Sequence, residues 1–178
     1  MCQRPGFDLV FHPLEGARYD RAMTAAQPIG TPAHVTDTAG APQASQPRQV
    51  SLLVFSDDRT VRDAVRVDVG RRPARDIEVV SWHECATADA VREAVDNGRF
   101  DLLILDGESP KNGGMGVCRE LKNEVFDCPP VLLLTGRPQD AWLAAWSMAD
   151  YAVPHPLDPM QLAAAVARLS RGTAVDAS

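Results

Sequence analysis

The chain has few of the features that mark several large protein classes. No run of about 18 apolar residues could span a bilayer, and the N-terminus carries no apolar core of the secretory type. The cytoplasm is therefore the expected location, with no membrane partner. Cysteine is sparse: Cys2, Cys85, Cys118 and Cys128 form no CxxC pair and no metal-ligand spacing, which excludes a disulfide framework or a structural zinc site. Cys118 falls on an apolar helix face and reads as core. Cations do not cluster, because the arginines are dispersed among acids and the net charge is −6, so no nucleic-acid footprint exists. Arg71, Arg72 and Arg75 lie at a helix end, where cations suit the dipole. The phosphate-binding pattern GxGxxG is missing after the first strand, where SDDRTV stands instead, and this argues against a dinucleotide binder.

What is present divides the 178 residues into unequal parts. Residues 1–48 are rich in Ala, Pro, Thr and Gln, with Phe7, Leu9, Val10 and Phe11 as the only apolar cluster. Such a segment cannot bury enough surface to offset its ordering entropy, and a disordered extension is expected. Residues 49–172 alternate strands with helices. Strands are expected at 51–55, 77–80, 102–105, 131–134 and 151–153. Helices follow each of them. Gly70 is placed to end the first, Thr87 to cap the second, and Asp158 with Pro159 to start the last, while the fourth is expected from about Gln139. Residues 173–178 read as a frayed tail. Strict alternation predicts a doubly wound α/β domain, a five-stranded parallel sheet in the flavodoxin-like order 2-1-3-4-5.

The stretch DLLILDGESPKNGGMG, residues 101–116, carries the chemistry. Four consecutive apolar residues make a strand covered on both faces, and Asp106 stands at its carboxyl end, where a parallel sheet keeps its reactive groups. In the predicted order the first and third strands are neighbours, so Asp57 and Asp58 are expected beside Asp106. Three carboxylates so close would repel one another unless a cation joined them, and Mg²⁺ suits oxygen donors that also await phosphate.

On these residues, 49–172 resembles a response-regulator receiver domain. The resemblance rests on LLVFSDD, DGESPKNGG and LLLTG, and on the pattern of the closing segment DPMQLAAAV. It implies that Asp106 is the phosphoacceptor, that Asp57, Asp58 and the backbone carbonyl of Glu108 join Asp106 in binding Mg²⁺, and that Thr135 is the switch hydroxyl. It also puts His155 where the family has a lysine that binds the acyl phosphate, and Ala152 at the aromatic switch position, with Tyr151 adjacent. A cis bond from His155 to Pro156 is a further implication.

The expected function is that of a stand-alone, atypical receiver in phosphorelay signalling that acts by protein contacts. Its partners would be a histidine kinase or other signalling protein, and a homodimer through the helix face bearing Trp142 and Trp146. No catalysis is expected beyond self-phosphorylation from a phosphodonor and autodephosphorylation. The alternative is a phosphorylation-independent docking module that keeps only the fold.

Overall fold

Three unbroken apolar runs, 52–55, 102–105 and 131–134, set the architecture, because none alternates and each must be covered on both faces. In the structure, a computed structural model that describes residues 46–172 apart from 111 and 112, all twelve of these side chains are buried. The expected N-terminal extension, up to residue 45, and the tail from residue 173 lie outside the described residues.

The elements follow in alternation: β1 (Arg48–Phe55), α1 (Arg59–Val69), β2 (Ile77–Cys85), α2 (Ala88–Asn97), β3 (Leu102–Asp106), α3 (Gly114–Glu124), β4 (Val131–Thr135), α4 (Ala141–Ser147, entered through a 3₁₀ turn), β5 (Tyr151–Pro154) and α5 (Pro159–Ser170). The sheet order is β2-β1-β3-β4-β5 and every pairing is parallel, as the alternation predicts.

Period-two geometry divides the apolar runs between two layers. Leu52, Val54, Leu102, Ile104, Leu132 and Leu134 face α1 and α5, meeting Val65, Val69, Leu162 and Val166. Leu53, Phe55, Leu103, Leu105 and Leu133 face the other way, onto Val91 of α2, Val117, Cys118 and Leu121 of α3, and Ala144 of α4. Leu103 is fully buried at the centre of this second layer, and trimming such a leucine to alanine costs about 2–5 kcal/mol. Burial also pushes the thiols of Cys85 and Cys118 up to about 11, which makes them inert core residues.

The helix signals act where the sequence puts them. The Thr87 side chain accepts from the Ala90 N–H, the Asp158 side chain accepts from the Gln161 N–H, and Gly70 closes α1 with φ of 62°. Two boundaries differ from expectation. Strand β2 continues to Cys85 instead of ending near Val80, because an edge strand does not need apolar residues at every position; Ser81, His83 and Glu84 alternate with buried or half-buried neighbours only loosely. Trp82 and His83 therefore sit within the strand, paired with Leu52 and Leu53. Helix α4 is only seven residues long, and Ala144 and Ser147 are its buried side chains among those described, so Trp142 and Trp146 are left 65% and 49% exposed.

Candidate functional site

The carboxyl ends of four strands form a row. Phe55 pairs with Leu105, Asp106 with Leu134, and Thr135 with Pro154. One step past each strand's last apolar residue stand Ser56, Asp106, Thr135 and, beyond Pro154, His155. Ser56, Asp106 and Thr135 are all buried, and His155 is half-buried.

Asp106 is the hub. Its Oδ1 accepts from the backbone N–H of Glu108 at 2.9 Å, and its Oδ2 accepts from the hydroxyl of Ser56 at 2.7 Å. The Ser56 Oγ in turn accepts from the N–H of Asp58 at 3.1 Å, so one hydroxyl joins the β1 end to the carboxylate on β3. The Ser56 carbonyl is held by the Arg62 guanidinium at 2.6 Å, and the same guanidinium reaches Glu84 at 3.3 Å. Further along the same two loops, the N–H of Asp57 donates to the buried Ser109 hydroxyl at 3.2 Å, linking them a second time.

Glycine makes the packing behind this hub feasible. A Cβ on Gly114 would lie 2.6 Å from the Asp106 carbonyl oxygen, so α3 can begin directly against the end of β3 only with no side chain there. Across the row, the His155 N–H donates to the Thr135 carbonyl at 2.7 Å, and the next peptide bond, His155–Pro156, is cis as the resemblance implies.

The expected convergence of three carboxylates needs correcting. Among the described residues no group of three or more His, Cys, Asp and Glu side chains is gathered to hold a metal ion. The reason is local. Asp58 is the N-cap of α1: its exposed side chain accepts from the Thr60 N–H at 2.7 Å and so is directed to the start of the helix. Asp57 is exposed, and the residue that meets Asp106 is Ser56. Sequence reading passed over Ser56, although its place directly after the apolar run put it in register with Asp106. The Glu108 side chain was also missed; its Oε1 accepts from the Gly136 N–H at 3.1 Å.

The fold is that of known receiver domains. The receiver domain of Francisella response regulator 1452 matches with a TM-score of 0.59 at 15% identity, over 70% of this chain and 98% of that one. The chemotaxis response regulator CheY4 of Vibrio cholerae matches with a TM-score of 0.56 at 19% identity, over 68% of this chain and 99% of the other. No protein-family model matches.

Sequence relatives go further. A response regulatory protein of Mycobacterium tuberculosis is 46% identical over 123 residues, which is 69% of this chain and 92% of that protein. The response regulator MprA of Mycobacterium sp. strain KMS is 33% identical over 132 residues, and the match spans 53% of its length. With the buried aspartate at the end of the central strand and the parallel order around it, this chain belongs to the response-regulator receiver family.

Proposed function

We propose that the chain is an atypical receiver that takes a phosphoryl group on Asp106 from a histidine-kinase-type partner in the cytoplasm and signals through protein contacts. One observation carries this reading: Asp106, buried at the carboxyl end of the middle strand, accepts from Ser56 at the end of β1 and pairs with Leu134, the residue before Thr135 on β4. The chemistry is in-line attack. A carboxylate oxygen of Asp106 forms a bond to phosphorus as the bond to the donor's leaving oxygen or nitrogen breaks, and the product is an acyl phosphate. Each carboxylate oxygen has two lone pairs, so the hydrogen bonds from Ser56 and Glu108 leave room for a new bond while drawing charge from both oxygens.

The donors around Asp106 are oxygens, which suits Mg²⁺, an ion that keeps several waters and needs only one or two carboxylates. Asp57 and Asp106, with the Glu108 carbonyl, would hold it; Asp58 is engaged as a cap. When bound, such an ion neutralises charge on the transferring group. His155 in place of lysine would leave that group with a shorter-reaching partner, without the flexible four-carbon stem that lets lysine follow a phosphate. Thr135 would supply the hydroxyl that follows the phosphoryl group. The exposed Trp142 and Trp146 on α4, the latter under the Arg119 guanidinium at 4.7 Å, are the anchors we assign to partner contact or self-association.

The second reading, a docking module that never carries phosphate, is favoured by the lack, among the described residues, of three gathered side chains that could hold a metal ion. Incubation with acetyl phosphate and Mg²⁺, followed by intact mass, separates the two. A gain of one phosphoryl mass that is lost in Asp106→Asn supports the receiver; no gain at saturating donor supports the module.

A further inference from the structure

A carboxylate joins the loop after β3 to the loop after β4. Besides the 3.1 Å bond from the Gly136 N–H to Glu108 Oε1, a Cβ built on Gly136 would lie 2.5 Å from the Glu108 carboxyl carbon and 2.5 and 2.7 Å from its two oxygens. The whole carboxylate therefore rests against the Gly136 backbone, and a side chain at 136 would push it aside. Glu108 is exposed, so little packing holds it there and the hydrogen bond sets its position.

The location gives this contact its meaning. Gly136 follows Thr135 and Glu108 lies two residues after Asp106, and the N–H of Gly107 donates to the Leu134 carbonyl at 2.8 Å, so the two loops leave the sheet side by side. Glu108 thus contacts the ends of both strands: its N–H supplies Asp106 Oδ1, and its side chain takes the Gly136 N–H. A backbone N–H at a strand end beside a reactive carboxylate is a donor for an anionic oxygen. Here an internal anion is already seated on it.

We propose that Glu108 is a displaceable internal anion. It holds the Gly136 N–H while Asp106 is bare, ties the two loops together in that state, and must swing away before a phosphoryl group on Asp106 can use the same donor. The inference rests on Asp106 as phosphoacceptor. A dianionic group and a carboxylate cannot share one N–H without mutual repulsion, so the exposed side chain is the one that yields.

The test uses the full chain and two variants that separate charge from shape. Glu108→Gln keeps an oxygen for Gly136 but loses the charge; Glu108→Ala loses both. With acetyl phosphate and Mg²⁺, the rate of mass gain is expected to rise about five- to tenfold in Glu108→Ala, the equivalent of one hydrogen bond, and to rise in Glu108→Gln as well. Amide hydrogen exchange at Gly136 is expected to be faster in Glu108→Ala by a similar factor and near the parent rate in Glu108→Gln. The inference is overturned if the parent is labelled and neither variant is labelled faster, or if Gly136 exchanges equally in parent and Glu108→Ala. Should no chain take up phosphate, the phosphoacceptor reading falls and displacement with it, and the Gly136 comparison decides the tie between the loops separately.

Discussion

The hydroxyl of Ser56 donates to Oδ2 of Asp106 across 2.7 Å, so the ends of two neighbouring strands are joined by one short hydrogen bond within the core. A hydroxyl at this point gives Asp106 a neutral partner where a carboxylate would give it a like charge.

Ser56→Asp should therefore reverse the balance. Two carboxylates on adjacent strand ends repel, and the variant is expected to melt several degrees below the parent without divalent cation. Millimolar Mg²⁺ should recover most of that loss and raise the parent's melting point by less, because a ligand that binds only the folded state stabilises it by mass action, and the added carboxylate binds the ion more tightly. Calorimetric scans with and without Mg²⁺ check this, and equal responses of the two proteins would refute it.

Asp58→Ala tests the role of a cap against that of a metal ligand. Loss of the bond to the Thr60 N–H is expected to cost about 0.5–2 kcal/mol. It should leave the rate of phosphodonor labelling unchanged at a temperature where both proteins are folded. A labelling rate that falls tenfold with little loss of stability would return Asp58 to the ion.

His155→Lys is expected to raise Mg²⁺-dependent labelling by about an order of magnitude, the worth of a charge-assisted contact. The backbone bond from residue 155 to the Thr135 carbonyl is retained, so the fold should not suffer. An unchanged rate would show that the side chain at 155 does not reach the reacting group.

The acid limb of stability carries a signature of Asp76. Paired hydrogen bonds of 2.7 Å from Arg171 lower its pKa from 3.8 to about 2. A depressed folded-state value means that this carboxylate adds stability above its unfolded value near 3.9, and that the contribution fades as pH falls through about 2. Because the pair is exposed, the effect is small and salt-sensitive. Urea midpoints of the parent and Asp76→Asn should converge between pH 4 and pH 2 and differ less in 1 M salt; a constant gap across that range would exclude the linkage.

The sheet was legible because 52–55, 102–105 and 131–134 are apolar without a break, and no half-exposed strand tolerates that. Asp106 was legible for the same reason, as the first polar residue after such a run. The loop after β1 was not. Ser56, Asp57 and Asp58 are all residue types that cap helices, and composition does not say which one does. The first turn of α1 decides it: once Asp58 takes the Thr60 N–H, Ser56 is left at the strand end beside Asp106 and Asp57 stands exposed between them. Nor could spacing tell whether Trp142 and Trp146 pack inward, since that depends on how short α4 is and on Ala144 lying against the sheet.

Only β4 separates the aspartate on β3 from the edge strand β5. Two inter-strand steps amount to about 10 Å, less than the length of most helices. A charge placed on the middle strand would thus lie within about one Debye length of the domain's border.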